Sequence, residues 1–334
     1  MINKNIFWIY CSLILFLIIT MSCGKGESIV YKELTPQGET IVIQTDDLPY
    51  VNSAVRIGER IFVVYDDIWL IDLHEGKERI IVKDGIGPNQ VYKPSRIVKF
   101  DQNLYTKSLY QLNYFYRFSL DSEDFKIERV PLKNPLGFND FEFISKDLVV
   151  MVNVYWEKGF VRIYNVKTGD CQNIGNSKIS DLMLKFNVNS ASLCYTDDKL
   201  YIVQGIKPEI MVVSPGKNKV MDSIELSPPF YKPMPEKYKV EKYDQKMHKK
   251  WMASWTRISD IMGKGKWLLL KYRWGYDHRY CYELIDIDDT GNRLYISESP
   301  NDIYDFEVKD GKIFFEAFEQ LDEKILWKKV EAYF

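Results

Sequence analysis

The chain has 334 residues, with 45 Lys and Arg against 47 Asp and Glu, and a formal net charge of −2. This balance lacks the basic excess of nucleic-acid-binding proteins, so we expect no nucleic-acid partner. Aromatic residues make up 15% of the sequence and hydrophobic residues 46%, a composition that excludes a disordered chain.

The first 24 residues predict an export signal. A short basic stretch is followed by an apolar run at residues 6–19, interrupted only by Tyr10 and Ser12. This run is shorter than the roughly 20 residues that span a bilayer, but it has the length of a signal-peptide core. Small Ser22 precedes Cys23, and the pair resembles the lipobox of bacterial lipoproteins, although Thr20 stands where Leu is usual.

The lipobox predicts that residues 1–22 are a signal peptide and that Cys23 carries the lipid, palmitate included. Residues 23–37 are then the lipidated cysteine and its tether. An acylated Cys23 would bind the lipid bilayer and place the protein in the cell envelope, with the outer membrane favoured. The sequence does not distinguish the periplasmic from the outer side of that membrane. An ordinary secreted protein and a retained N-terminal anchor remain alternatives.

A repeat organises the sequence from residue 38 to the end. Each unit contains an apolar run that begins with Leu, Ile or Trp and is rich in Tyr, Phe and Val. The first residues of these runs are Ile61, Leu104, Leu148, Leu200, Trp267 and Ile313. A period of about 40–50 residues built from short strands is typical of β-propeller blades. We therefore predict an all-β, six-bladed β-propeller with four-stranded blades over residues 38–334.

The last blade lacks an outer strand in the sequence, because the chain stops after its third run, residues 325–330. Residues 38–45, before the first blade, have the composition of a strand. Pairing this segment with the last strand would close the ring and remove both sheet edges.

The longest repeat contains an insertion at residues 227–254, between blades 4 and 5. Its first part is rich in proline, whereas residues 236–253 lack Pro and Gly and place Tyr243, Met247 and Trp251 at helical spacing. We predict one helix there, packed on the propeller; a partner-binding helix is the alternative.

A family resemblance is visible in the segment Lys83-Asp84-Gly85-Ile86-Gly87-Pro88-Asn89-Gln90-Val91 and in the Pro94-Ser95-Arg96-Ile97 that follows it. This segment resembles the Gly-x-Gly-Pro-Asn-Glu motif of the TolB-like six-bladed β-propeller lipoproteins of Bacteroidetes, with Gln90 in place of Glu. Three further features resemble the same family: Asn139-Asp140, the helical insertion and the lipobox. The resemblance implies the fold and the membrane attachment, but no ligand, cofactor or reaction.

Catalytic motifs are missing from the sequence. His74, His248 and His278 belong to distant parts of the predicted fold, and no nucleophile elbow or zinc-protease motif is present. Residues 85–88 and 286–292 are interpreted as structural turns rather than as a phosphate loop and a calcium loop. We expect no metal and no cofactor.

Three cysteines remain after the signal and Cys23: Cys171, Cys194 and Cys281. Their odd number and wide spacing predict small apolar packing residues, with a Cys171–Cys194 disulfide as the alternative.

The connections between second and third strands should converge at the mouth of the central channel, where propellers bind ligands. Here they are rich in aromatic and polar residues, as in 107–110, 155–158, 204–207 and 273–278. The candidate ligand-binding residues are Arg96, Trp156, Arg273, Trp274 and Tyr276. Trp and Tyr could stack on a sugar or peptide while Arg orients polar groups. The alternative is that these aromatics only cap the blades.

The function predicted from the sequence is that of a membrane-anchored lipoprotein that binds a glycan, a peptide or an envelope protein without catalysis. The alternative is a metal-dependent hydrolase or lactonase of the six-bladed type, for which Asn139, Asp140 and Asn153 are the candidate ligands.

Overall fold

The computed structural model describes residues 29–46, 48, 50–120, 125–133, 137–138, 140–153, 160–175, 191–217, 219–235, 244–274, 279–321 and 324–334. These residues form six sheets that follow one another along the chain, and the four main strands of each sheet are antiparallel. The predicted all-β, six-bladed propeller is therefore confirmed.

The blades are described in chain order, each from its innermost strand outward. Blade 1 contains β3 (Ser53–Ile57), β4 (Arg60–Tyr65), β5 (Asp67–Asp72), β6 (Lys77–Asp84) and the short β7 (Gln90–Val91). Blade 2 contains β8 (Pro94–Phe100), β9 (Asn103–Ser108), β10 (Tyr114–Ser119) and β11 (Ile127–Pro131). Blade 3 contains β12 (Asp140–Phe143), β13 (Leu148–Val152), β14 (Val161–Asn165) and β15 (Cys171–Ile174).

The second half of the ring repeats this order. Blade 4 contains β16 (Ala191–Thr196), β17 (Lys199–Gln204), β18 (Glu209–Ser214) and β19 (Lys219–Glu225). Blade 5 contains β20 (Thr256–Lys264), β21 (Trp267–Trp274), β22 (Tyr280–Asp286) and β23 (Asp289–Ser299). Blade 6 contains β24 (Asp302–Lys309), β25 (Lys312–Gln320) and β26 (Ile325–Tyr333).

Tight polar turns join the first and second strands of each blade. Asp197 and Asp198 both have positive φ, and so do Asp310 and Gly311. Two consecutive residues with positive φ are what a two-residue hairpin of the primed type requires. The Asp-Asp and Asp-Gly pairs of the sequence therefore mark hairpins, as predicted.

The core lies between the blades rather than in one central mass. In β4, Phe62 and Val64 pack against blade 2, whereas Ile61 and Val63 pack against blade 6. All four are almost completely buried. Because both faces of each sheet are covered by a neighbouring blade, the strands read as continuous apolar runs instead of alternating ones.

The N-terminal segment closes the ring. Strand β2 (Pro36–Thr45) pairs antiparallel with β26 and supplies the fourth strand of blade 6. Trp327 donates from Nε1 to Thr45 Oγ1 at 3.2 Å, which ties the two strands together in the core. The predicted closure by residues 38–45 is confirmed, with the strand starting two residues earlier.

A second N-terminal strand was not predicted. Strand β1 (Val30–Glu33) adds to the outer edge of blade 5, parallel to β23. Residues 30–33 and 36–37, which the sequence analysis assigned to the tether, are thus strands. Their sequence, Val-Tyr-Lys-Glu and Pro-Gln, lacks the long apolar run that marks the other strands.

The insertion leaves blade 4 after β19 and returns at β20, as predicted. It contains helix α1 (Gln245–Met252), whose N-cap Asp244 accepts a hydrogen bond from the Met247 amide. His248, Trp251 and Met252 are its buried residues. Trp251 and Met252 pack with Trp255 on the propeller, which agrees with a packing helix. The first part of the predicted helix, residues 236–243, lies outside the described residues. No helix within the described ranges has the length and apolarity to cross a membrane.

Candidate binding site at the channel mouth

The topology brings the starts of all six innermost strands to one end of the channel. Each blade is an antiparallel meander that begins at its innermost strand. The links from one blade to the next, and from second to third strand, therefore lie on the same face, which we call the mouth. The hairpins that join first to second and third to fourth strands lie on the opposite face.

Arg96 is the central charged residue of this end. Its Nε lies 2.6 Å from Asp140 Oδ1, and its Nη1 lies 3.5 Å from Asp260 Oδ1. These contacts join the innermost strands of blades 2, 3 and 5 across the channel. Arg96, a candidate ligand-binding residue of the sequence analysis, is thus paired with two carboxylates in the channel.

Ser192, on the innermost strand of blade 4, connects the carboxylates of Asp140 and Asp260. Its Oγ lies 2.8 Å from Asp140 Oδ2 and 2.6 Å from Asp260 Oδ1. A hydroxyl carries one proton, so it donates to one carboxylate at a time. The Leu193 amide also donates to Asp140 Oδ2, at 3.1 Å. Asp140 is thereby held by three groups from two neighbouring blades.

The three carboxyl groups of the cluster have pKa values that are shifted in different directions. Burial raises the pKa of Asp140 although Arg96 opposes the rise. Burial would also raise the pKa of Asp260, but Arg96 and Lys271 outweigh it and lower that pKa. Glu142 follows Asp140 by two residues on β12, and burial raises its pKa to about 8. At neutral pH Glu142 is therefore mostly protonated beside the Arg96 guanidinium, whereas the charged form is favoured at Asp260 and disfavoured by burial at Asp140.

Two cavities open at the mouth, and Arg96 lines both. One, of about 100 Å³, extends towards blades 5 and 6, where Asp260, Lys271 and Asp302 line it. Lys271 Nζ and Asp302 Oδ1 lie 2.7 Å apart there. The other, of about 240 Å³, lies above blades 1 to 3 and is lined by Asn52, Ser53, Ser95, Arg96, Lys107, Leu109 and Phe138.

Lys107 is a buried cation in the wall of the second cavity. Its Nζ donates to the Phe138 carbonyl and lies 4.2 Å from the centre of the Phe138 ring. Burial lowers the pKa of Lys107 to about 8; Asp140 opposes this shift and Arg96 adds to it. Lys107 thus remains mostly protonated at neutral pH.

Exposed aromatic residues lie on connections of the mouth face next to Leu109, which lines this cavity. The rings of Tyr92 and Tyr110 lie 5.6 Å apart, and the Tyr110 side chain is 67% exposed. Leu109, at 54%, and Leu112 extend the same apolar surface. The connection 107–110 is among the aromatic-rich links of the sequence, but Tyr110 is not one of the candidate ligand-binding residues predicted from it.

The other predicted binding residues occupy different positions. Trp274 is half-buried, donates from Nε1 to Thr256 Oγ1 at 2.6 Å, and has Lys232 Nζ 5.1 Å from its ring centre. It packs against the core between blades 4 and 5, which agrees with the alternative of a packing residue. Arg273 lies over the ring of Tyr280 at 5.4 Å. Trp156 and Tyr276 lie outside the described residues, so Arg96 is the predicted residue that the structure places at the mouth cavities.

The candidate ligands of the metal-dependent alternative are engaged in other contacts. Asp140 is bound by Arg96, and Asn153 Nδ2 donates to the Gly137 carbonyl at 2.5 Å. Asn139 lies outside the described residues. Within the described ranges, no group of three or more His, Cys, Asp or Glu side chains is arranged to hold a metal ion.

The turn motif and the cysteines have structural positions. Gln90 Oε1 accepts a hydrogen bond from the Gly87 amide at 2.8 Å, and a Cβ on Gly85 would lie 2.4 Å from the same oxygen. Residues 85–88 therefore form a structural turn, as predicted, and Gly85 has a φ of +149°, which favours glycine. Cys171, Cys194 and Cys281 are free thiols, so the alternative disulfide is not formed. Cys194 and Cys281 are buried as predicted, whereas Cys171 is exposed.

Comparison with known proteins gives structural neighbours only. No family model matches the sequence, and no curated protein matches it. A protein of Bacteroides fragilis NCTC 9343, described as exported, superposes with a TM-score of 0.55 at 8% identity, over 92% of this chain and 100% of that one. An auxiliary nutrient binding protein of Bacteroides thetaiotaomicron VPI-5482 superposes with a TM-score of 0.53 at 10% identity, over 86% of this chain and 70% of that one. At these identities the likeness establishes the shared fold.

Proposed function

We propose that this protein is an exported lipoprotein that binds a ligand at the mouth of its propeller and does not turn it over. The observation that carries the proposal is that Arg96 lines both mouth cavities while the exposed Tyr92–Tyr110 pair lies on connections of the same face. Charged groups that orient a ligand and flat apolar surfaces that stack on it are the two elements of a polar binding site.

The charge cluster is not explained by stability. Buried ion pairs contribute little compared with well-packed apolar side chains, because desolvation of the charges offsets their attraction. Clusters of buried, perturbed ionisable groups in a cleft are characteristic of functional sites. Two exported or nutrient-binding Bacteroides neighbours of the same fold support a binding role in the envelope.

Membrane attachment through Cys23, in the manner of the TolB-like lipoproteins, is part of the proposal. Strand β1 runs parallel to β23, which starts on the face opposite the mouth. The chain therefore enters the propeller from that opposite face, and the stretch from Cys23 to Val30 spans at most about 25 Å. An anchor there would hold the opposite face near the bilayer and direct the mouth away from it.

The anchor is tested by metabolic labelling with a palmitate analogue. We expect label on the natural protein, and we expect Cys23→Ser to lose the label and to move from the membrane to the soluble fraction. Label retained by Cys23→Ser would contradict the assignment.

The binding site is tested by screening the mature protein in detergent against envelope glycans and peptides by calorimetry, with and without calcium. We expect a ligand whose affinity falls when Tyr110→Ala removes the exposed ring; a stacking anchor of this kind typically contributes about 2 kcal/mol or more. Met221→Ala, an exposed apolar side chain on the outer strand of blade 4, is the matched control. Calcium-dependent hydrolysis of any screened compound would instead favour the hydrolase alternative.

A further inference from the structure

Exposed apolar side chains occur on one sector of the face opposite the mouth. Among the described residues of that face, the large apolar side chains that remain exposed lie on β1 and at strand ends of blades 4 and 6. They are Val30, Val220, Met221, Tyr333 and Phe334, each between 41% and 55% exposed. The described hairpins of blades 1 to 3 on the same face expose no large apolar side chain. We call these five residues the entry sector, because the N-terminal chain enters the propeller among them.

The strand directions place the entry sector at the end of the channel opposite the mouth. Strand β19 starts at that end, and Val220 and Met221 are its second and third residues. Strand β26 finishes there, and Phe334 follows its last residue. Val30 pairs with Asn292, close to the start of β23, which also begins at this end. Strands of the propeller and their immediate ends therefore hold these side chains in fixed positions.

The entry sector flanks the end of blade 5 on both sides. Ile29, which precedes Val30, and Met221 line the same cavity of about 680 Å³, which opens between blades 4 and 5. On the other side, the ring of Phe334 lies 5.7 Å from the ring of Trp267, the first residue of β21. The exposed apolar side chains are thus grouped around the blade to which the entering strand β1 is added.

Two lysines beside the entry sector are paired with acidic side chains. Lys266 Nζ lies 2.5 Å from Asp286 Oδ2. Lys312 Nζ lies 2.8 Å from Glu331 Oε1 and 4.7 Å from the centre of the Tyr333 ring. These pairs add no net positive charge, so they provide no electrostatic attraction to anionic lipids. Aromatic rings with lysine side chains beside them are, however, the groups that occupy the level of the lipid headgroups.

We propose that the entry sector is a membrane contact, whose apolar side chains enter the headgroup region of the bilayer that holds the lipid on Cys23. This inference rests on the proposed anchor and adds a second point of attachment to it. The stretch from Cys23 to Val30 spans at most about 25 Å, which keeps the entry sector within reach of the bilayer surface. A few apolar side chains bind a bilayer weakly by themselves, but an acyl chain on the same molecule holds them at a high effective concentration.

The contact would tilt the propeller on the membrane. Blade 5 lies in the middle of the entry sector, and blade 2 lies across the channel from blade 5 in the six-bladed ring. Lowering blade 5 into the headgroups therefore raises blade 2. The Tyr92–Tyr110 pair belongs to the mouth connections of blade 2, so it becomes the part of the mouth that is most distant from the bilayer.

The first experiment measures the contact without the lipid. Residues 23–334 with Cys23→Ser are sedimented with vesicles of phosphatidylcholine alone and with vesicles that also contain phosphatidylglycerol. We expect similar, weak partitioning to both, because the contact is apolar. Tyr333→Ser combined with Phe334→Ser should lower the partition coefficient at least about tenfold, since two large apolar side chains no longer leave water.

Matched variants locate the contact. Val30→Ser combined with Met221→Ser changes the other side of blade 5 and should also weaken partitioning, which gives an independent test if the C-terminal pair impairs folding. Ile80→Ser combined with Ile86→Ser removes two exposed apolar side chains of blade 1 and its link to blade 2. This control should partition like the parent protein. Thermal unfolding of each variant checks that it is folded.

The second experiment measures the tilt of the lipidated protein in vesicles. Exposed Cys171 is replaced by Ser, and one fluorophore is attached at Asp288→Cys on blade 5 or at Gln102→Cys on blade 2. Both positions are exposed hairpin residues of the face opposite the mouth. Lipids with a nitroxide on the headgroup should quench the label on blade 5 more strongly than the label on blade 2. Tyr333→Ser with Phe334→Ser should reduce this difference.

The outcomes separate this inference from the proposed anchor. If the Cys23→Ser protein does not sediment with either vesicle, or does so only with phosphatidylglycerol, the apolar contact is wrong whether or not Cys23 is lipidated. Equal quenching of the two labels would show that the entry sector does not orient the propeller. The palmitate labelling described above tests the anchor by itself, and its failure would leave the result with the unlipidated protein unchanged.

Discussion

Tyr31 covers a buried ion pair: its hydroxyl donates to Glu283 Oε1 at 3.3 Å, while Arg293 Nη1 lies 2.9 Å from the same oxygen. Glu283 and Arg293 are almost completely inaccessible, and Tyr272 donates to the second oxygen of Glu283 at 2.5 Å. Strand β1 therefore seals a charged cluster in the outer half of blade 5. If Cys23 carries a lipid as proposed, the anchor precedes a strand that is part of the propeller by only a few residues.

The first prediction concerns this seal. Deleting residues 29–34 should expose Glu283 and Arg293 and remove buried Leu34, so we expect a clear fall in the melting temperature. Tyr31→Phe removes the hydroxyl that donates to Glu283 and accepts from the Ser227 amide and from Arg293, and should destabilise the protein by at least about 1 kcal/mol. Deleting residues 25–28 is the control and should leave thermal unfolding unchanged. An unchanged melting temperature after the longer deletion would show that β1 is dispensable.

The second prediction compares the two aspartates around Arg96. Asp140→Asn removes the closer and more buried carboxylate, and breaking a buried pair in this way costs about 3 kcal/mol. Asp260 makes the longer contact and its side chain is 21% exposed, so Asp260→Asn should cost only about 1 kcal/mol. Urea titrations of both variants measure the difference. Equal losses would mean that Arg96 is not held mainly by Asp140.

The six blades could be predicted from the sequence, but strand β1 could not. The fold was predictable because each blade repeats the same apolar runs and polar turns, so marker residues such as Ile61 and Trp267 recur at the second strand of every blade. Strand β1 could not be predicted, because it lies at the outer edge of its sheet and its sequence, Val-Tyr-Lys-Glu, has little apolar content. Its placement depends on Tyr31 meeting Glu283, which is distant in sequence.

The site was only partly predictable for a similar reason. The sequence indicates that Arg96 lies on an innermost strand, but not that Asp140, Ser192 and Asp260 from three other blades converge on it. Trp274 shows the opposite case: this aromatic residue was expected to face the mouth, but it is held by Thr256 at the start of β20 and by Lys232 of the insertion. Packing of this kind depends on contacts between segments, which composition does not show.

The third prediction concerns closure of the ring. Deleting residues 36–45 strips the outer strand from blade 6 and exposes the edge of β26, leaving Trp327 without Thr45. An unpaired edge of this length favours aggregation, so the variant should aggregate or lose cooperative unfolding. Thr45→Val, which removes only the hydrogen bond from Trp327, should unfold cooperatively and lose about 1 kcal/mol. Cooperative unfolding at the original temperature after the deletion would show that the ring closes in another way.

The last prediction is a pH dependence of stability that arises from Glu142. Burial raises its pKa from an ordinary value of 4.5 to about 8 in the folded protein. Between these two values the folded state holds a proton that the unfolded state has released, so the free energy of unfolding should fall as the pH rises from about 4.5 to 8. Lys107 acts in the opposite direction at higher pH, because its pKa is lowered to about 8 from 10.5. Urea titrations across this range should show a shallower fall for Glu142→Gln, whereas Glu128→Gln, which removes an exposed partner of Arg117, should keep the slope of the natural protein. A slope unaffected by Glu142→Gln would mean that Glu142 is ionised in the channel at neutral pH, with Arg96 compensating its charge.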